Sequence, residues 1–186
     1  PPASAIVAVG VDGLATAAGL LVGSGVGRIL VEKPGGVDSV EVRNLARNAG
    51  DRGVEVLVGY NRRFLASVAE VRRLIEVDGG PISCAFEFGE RTNLITDLDL
   101  PVQVLSRWFL ANSSHVVDLA FHLIGRPTEL SVTTSGELDW HPAASRFHGS
   151  GTTDRGVTFK YRADWSAPGS WRVEVVTARR TLIFRP

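Results

Sequence analysis

The sequence predicts a chain in two parts. A parallel, doubly wound α/β half over residues 1–63 is followed by an α+β half over residues 64–186, built on a large, mainly antiparallel sheet. Two observations predict this. In the first half, short continuous apolar runs rich in β-branched residues alternate with helical segments, the pattern of a parallel sheet covered on both faces. After "GYNRRF" the runs alternate apolar and polar, as in a half-covered sheet. A third observation sets the scale: 186 residues that are 44% hydrophobic and 22% charged can bury a sizeable core.

"AIVAVG", Ala5 to Gly10, reads as a buried strand, and "ATAAGLLVGSG" as a small-residue helix weakened by Gly19 and Gly23. "RILVE" is the next buried strand. "DSVEVRNLARNAG" is a helix that Asp38 can cap, with Glu41 three residues on and Gly50 at its end. "VEVLVGY" is the third strand. In the second half, "LASVAEVRRLIEVDGG" is an amphipathic helix ending at Gly79-Gly80, and "ISCAFEFGER" alternates like a strand. "ANSSHVVDLAFHLIG" is a helix closed by Gly125 with Pro127 beyond. Four strand-like runs follow, "ELSVTTSGEL", "GVTFKYRAD", "SWRVEVVT" and "RTLIFRP", interrupted by a "DWHPAASRFHGSG" loop.

A net charge of zero gives no general field toward nucleic acid or an anionic membrane, and no apolar run is long enough to span a bilayer. The single Cys84 excludes an internal disulfide and fits the reducing cytoplasm. The chain starts Pro-Pro and contains no Met, so it is expected to be part of a longer protein, cut at its N-terminus and also at its C-terminus.

Three clusters could carry chemistry. Lys33 follows "ILVE" at the carboxyl end of a parallel strand, where ligands bind in open α/β sheets. The chain has only two lysines, Lys33 and Lys160, so the choice of Lys here over the usual Arg needs a reason. An ammonium can act as a tunable acid or donor, which a guanidinium cannot readily do; the competing reading is a strand-end Lys before a helix. Pro34 fixes the next φ and can take a cis bond; Gly35 and Gly36 permit close backbone approach. Second, His115, Asp118 and His122 share a helix face, and Asn112 can orient the His115 ring or cap the helix. A histidine suits general-base work, but each of these residues also has a structural reading. A metal site is not expected: His115 and His122 are seven apart and no Cys assists. Third, Arg62 and Arg63 leave the third strand. Arg62 is left open between an oxyanion or phosphate clamp and a structural role, while Arg63 reads as a charged strand exit. His141, Arg146 and His148 lie on the predicted loop, and Trp140, Trp165 and Trp171 read as sheet packing.

Taken together, "ILVEKPGG", "VGYNRRF" before an amphipathic helix and "SSHVVDLAFHLIG" resemble the Gfo/Idh/MocA family of glucose-fructose oxidoreductase and inositol dehydrogenase relatives. The resemblance runs over nearly the whole chain. It implies a Rossmann domain for NAD or NADP followed by a substrate domain whose open sheet packs on another subunit. It also implies hydride transfer between the cofactor and a secondary alcohol or ketone of a sugar, sugar derivative or cyclitol. By resemblance Lys33 and His115 are catalytic: His115 takes the hydroxyl proton and Lys33 polarises that oxygen. Asn112 and Arg62 contact substrate, and Glu32, Lys33 and Pro34 border the cofactor.

Two departures matter. Many relatives carry Asp four residues before this His, where Ala111 stands here. No G-x-G-x-x-G precedes "AIVAVG", so this stretch alone is not expected to bind a dinucleotide well. The alternative is a non-catalytic relative, a sugar-binding or assembly subunit. No nucleic-acid or membrane partner is expected. A homodimer or homotetramer is expected through the C-terminal sheet, whose free face would carry Phe159, Tyr161 and Trp171 or their neighbours.

Overall fold

The computed structural model describes residues 1–185. In chain order the strands are β1 (Ser4–Val7), β2 (Arg28–Glu32), β3 (Glu55–Gly59), β4 (Ser83–Phe88), β5 (Pro127–Ser135), β6 (Arg146–Thr153), β7 (Thr158–Asp164), β8 (Trp171–Val176) and β9 (Thr181–Phe184). The helices are α1 (Leu14–Gly23), α2 (Ser39–Asp51), α3 (Ala66–Val77), α4 (Thr92–Ile95), α5 (Val102–Leu105) and α6 (Ser114–Ile124). Two compact units result. One comprises Pro1–Tyr60 and Leu100–Ser114; the other comprises Asn61–Asp99 and the residues from His115 onward.

In the first unit, β1, β2 and β3 form a parallel sheet in that order. Val7, Ile29 and Val31 point to one face and join Leu14, Ala18 and Val22 of α1 and Leu45 and Ala49 of α2 in a core. The small residues of α1 let that helix lie close to the sheet. α2 starts as its sequence suggests. Asp38 Oδ1 accepts from the Val40 and Glu41 amides at 2.8 and 2.9 Å, and Glu41 Oε2 accepts from the Val37 amide at 2.9 Å. These bonds satisfy amides that a helix start otherwise leaves orphaned, and the one from the Glu41 amide is the main reason the Asp38 carboxyl titrates below its usual range.

The second sheet face corrects the expectation of cover on both sides. Ile6, Leu30 and Leu57 are 74%, 41% and 49% exposed. The reason is topological. Successive right-handed crossovers from β1 to β2 to β3 all step in one direction, which puts both crossover helices on one face.

The second unit holds a six-stranded sheet in the order β5-β6-β7-β4-β8-β9. All its pairs are antiparallel except the central β4–β7 pair. Its covered face carries Cys84, Phe86, Phe88, Phe159, Val173 and Val175. Phe121 of α6 meets Phe86 and Phe159 edge-on, with ring centroids 5.7 and 5.0 Å away. Phe159 and Tyr161 therefore lie on the helix side, and it is their neighbours that face outward. Glu87, Lys160, Arg162, Arg172 and Glu174 line a shallow groove of about 390 Å³ on that outer face.

The predicted "DWHPAASRFHGSG" loop is half strand: its second part is β6, paired with both β5 and β7. Ser and Gly hid the alternation of buried Phe147 and exposed His148. Gly149 is needed there, because a Cβ at that position would sit 2.1 Å from the Tyr161 ring. Trp140 and Trp165 stack at 5.7 Å as packing residues, with buried His141 edge-on to Trp165 at 4.8 Å. Burial lowers the His141 pKa.

Candidate active site

Within the first unit, β2 ends by delivering Lys33 to the carboxyl edge of the parallel sheet. The Lys33 amide donates to Glu32 Oε2 at 3.0 Å, and the Gly35 amide donates to Glu32 O at 3.0 Å, closing a tight turn. The Lys33–Pro34 peptide is cis, and Pro34, Gly35 and Gly36 are buried. Glu32, Lys33 and Pro34 thus form one compact step at the strand end.

The Lys33 side chain is half-buried, and its Nζ donates to the Ala111 carbonyl at 2.6 Å. Ala111 lies in a π-helical turn, Phe109–Ser113, that runs into α6. The Leu110 and Ala111 amides both donate to Arg107 O at 2.9 Å, which marks the irregular winding of this turn. The sequence suggested that Asn112 could cap the following helix. It lies inside the π turn instead, next to the carbonyl that holds Lys33. Single π turns of this kind recur at functional sites.

After β3 of the first unit, the chain enters the second unit through a 3₁₀ turn, Asn61–Phe64. This turn sends Arg62 and Arg63 to different partners. The Arg62 guanidinium carbon lies 4.5 Å over the Trp171 ring, an attraction worth about 0.5–2 kcal/mol depending on solvation. Its Nη1 is buried with no hydrogen-bond partner among the described residues. Burial lowers the Arg62 pKa, and nearby Glu90 opposes that shift. A desolvated guanidinium N–H without an acceptor is a donor available to an incoming oxygen.

Arg63 forms a bidentate ion pair with Asp118 of α6, its Nε 2.8 Å from Oδ2 and its Nη2 on Oδ1. That pair gives Asp118 a structural role. His115 is half-buried, one helical turn before Asp118. His122 is one turn after it, and its Nε2 has no partner among the described residues. Desolvation, then the positive charges of Arg63 and Arg72, hold the His122 pKa below its usual value. Arg63, Asp118, His122, Arg126 and Arg155 line a cavity of about 310 Å³.

Sequence reasoning placed Lys33, Arg62, Asn112 and His115, and the structure gives Lys33 and Arg62 defined partners. It missed Trp171 and Glu90, whose relation to Arg62 depends on strand register: Trp171 pairs with Phe88 two residues before Glu90. It also missed the Ala111 carbonyl, because a backbone acceptor leaves no residue-type signal. Among the described residues no group of three or more His, Cys, Asp or Glu side chains could hold a metal ion, and no helix is long and apolar enough to cross a membrane.

No protein-family model matches the sequence, and no curated protein matches it. Solved structures do. A levoglucosan dehydrogenase in complex with NADH and levoglucosan superposes with a TM-score of 0.80 at 17% identity, over 98% of this chain and 54% of that one. UDP-N-acetylglucosamine 3-dehydrogenase from Acidithiobacillus ferrooxidans gives 0.77 at 18% identity, over 98% and 57%. GenD2 of gentamicin A biosynthesis, in complex with NAD, gives 0.78 at 18% identity, over 98% and 54%. The chain shares the fold of these dehydrogenases and spans about half the length of each.

Proposed function

We propose that this chain is the catalytic part of a nicotinamide-dependent dehydrogenase or reductase. It acts on a secondary alcohol, or the matching ketone, of a sugar, sugar derivative or cyclitol. The observation that carries this reading is Lys33: an ammonium at the carboxyl end of a parallel strand, anchored through one hydrogen bond to Ala111 O. An ammonium has three N–H donors, so the group can in general be anchored and also donate to an oxygen. The fold shared with the NAD and NADH complexes above supports the same reading.

The residues present fit the nicotinamide side of such a cofactor. Gly59 lies where a Cβ would come 3.3 Å from Val31 O, so the strand ends stay closely packed beside the Glu32–Pro34 step. Glu32, Lys33 and Pro34 would border the ring, and NAD or NADP, when bound, supplies the hydride acceptor. The Lys33 ammonium donates to the alcohol oxygen and stabilises its developing negative charge. His115 accepts the hydroxyl proton as general base, while the C–H bond is broken with its electron pair leaving as hydride. Asn112 and Arg62 hydrogen-bond the remaining hydroxyls.

We assign residues 1–63 to the cofactor domain and 64–186 to the substrate domain, with the π-turn segment as the part of the later chain that joins the first unit. The charged outer face of the six-stranded sheet is the proposed contact in a homodimer or homotetramer, and the single buried thiol suits the cytoplasm. The test is reduction of NAD⁺ and NADP⁺ by the protein at its natural full length, against a panel of cyclitols, anhydrosugars and aldoses. Turnover with at least one polyol is expected. A protein that neither turns over any polyol nor binds either cofactor calorimetrically refutes the proposal.

A further inference from the structure

The geometry points to a phosphate site in the second unit: the cavity at the C-terminal end of α6 binds the phosphate group of a small molecule, with Arg126 and Arg155 as its cations. All the residues of its wall belong to that unit, and the inference does not depend on the role of Lys33.

The cavity is built on a docked turn. β6 ends at Thr153 and β7 begins at Thr158. The turn between them closes on itself, the Thr153 amide donating to Val157 O at 3.0 Å and the Gly156 amide to Thr153 O at 2.9 Å. Three further bonds tie it to the end of α6. Thr153 Oγ1 donates to Ile124 O at 3.0 Å, the Arg126 amide to Asp154 Oδ1 at 2.9 Å, and the Asp154 amide to Arg126 O at 2.8 Å. This frame fixes the backbone from which both arginines leave. An added Cβ at Gly125 would meet Arg155 Cγ at 3.0 Å and Cδ at 3.1 Å, so the bare glycine lets the Arg155 stem lie across the helix end.

Arginines near a helix C-terminus have an ordinary use, which is to offset the carbonyl end of the dipole. Here the terminal carbonyl is already served, since Thr153 Oγ1 donates to Ile124 O. Neither the Arg126 nor the Arg155 guanidinium has a hydrogen bond or ion pair among the described residues. Charge then decides what they can hold. Asp118 is engaged by Arg63, and Asp154 is the other carboxylate of the wall. Three guanidiniums therefore face two carboxylates, and Arg72 adds positive charge at His122. That excess favours a dianion over a monocarboxylate. Guanidinium forks match phosphate oxygens bidentately, and about 310 Å³ has room for a phosphate with a small organic group.

The test is calorimetric titration of the full-length protein with inorganic phosphate, α-glycerophosphate, glycerol and acetate at fixed ionic strength, repeated on Arg126→Gln and Arg155→Gln. Both arginines are exposed, so the variants should fold. Saturable binding of phosphate or α-glycerophosphate is expected, with a dissociation constant about tenfold higher in each variant, the loss of one charge-assisted hydrogen bond. Equal affinity for the two supports a site for the free anion; tighter binding of α-glycerophosphate supports one that also holds the organic group. Phosphate affinity that both variants leave unchanged overturns the assignment, even where their urea midpoints fall, because the arginines are then structural. Acetate bound as tightly as phosphate, or no saturable binding, overturns it too. The second readout is the ring resonance of His122, assigned by its loss in His122→Asn. Sulfate stays a dianion through the His titration, and its charge opposes those of Arg63, Arg72, Arg126 and Arg155 while adding to those of Asp118 and Asp154. It should raise the His122 midpoint; an unmoved midpoint overturns the site.

Discussion

Gly125→Ala tests how α6, the helix that carries His115, is closed. Gly125 has φ +100°, a region that costs an L-residue about 1–2 kcal/mol. Space is the second problem. A Cβ there would lie 2.4 Å from Asp154 Oδ1 and 3.0 Å from Arg155 Cγ. Asp154 is not idle: Oδ1 accepts from the Arg126 amide at 2.9 Å, and its own amide donates to Arg126 O at 2.8 Å. Moving its carboxylate aside loses a hydrogen bond to a charged group, about 1.5 kcal/mol at an exposed site. The sum predicts a loss of about 2–4 kcal/mol, read as a lower urea midpoint at unchanged m-value. Asp154→Ala alone should cost about 1.5 kcal/mol, and the double variant should cost less than the two singles added, because the clash is removed. A Gly125→Ala protein within about 0.5 kcal/mol of wild type, or strictly additive behaviour, would refute the reasoning.

Three further outcomes follow from named groups. Burial, with Glu174 adding to it, pushes the Cys84 thiol up to about 12, so native protein should not react with Ellman's reagent at about pH 8 and should react fully once unfolded; rapid native reaction would contradict this. His122 and His141 are both held below the ordinary value of 6.5. Below that pH the unfolded chain binds protons the native state refuses, so stability should fall as pH drops through 6.5, and His122→Asn should flatten that fall. A slope unchanged by that variant counts against it. Arg62→Lys keeps the charge but loses the planar fork over Trp171, so substrate KM should rise about tenfold with a smaller change in kcat; unchanged KM would return Arg62 to a structural role.

Local patterns made much of the fold legible. Asp38, Glu41, Gly125 and the apolar strand runs act through neighbours three or four residues away, and these features stand where sequence spacing put them. What was not legible depended on partners far along the chain. β6 was hidden because its Ser and Gly residues carry little hydropathy, and its strand character comes from β5 and β7 on either side. The open face of the first sheet follows from crossover direction, which no single strand encodes. At the candidate site, residue type pointed to Lys33, His115 and Arg62, whose roles here are proposals. It could not show that Asn112 lies in a π turn, since that winding is set by main-chain hydrogen bonds, which leave no residue-type signal. It could not show what holds Lys33, because the acceptor is a carbonyl.

The central claim is that Lys33 does chemistry. The most direct measurement is kcat/KM of the full-length protein for its best polyol, comparing wild type with Lys33→Met and Lys33→Arg, alongside the cofactor dissociation constant. The account predicts a fall of about 10²-fold or more in both variants, because Met removes the donor and Arg keeps the charge without an adjustable proton. Cofactor affinity should change by no more than about threefold. A Lys33→Arg enzyme as active as the wild type would contradict the account and leave Lys33 as a positive charge at a strand end.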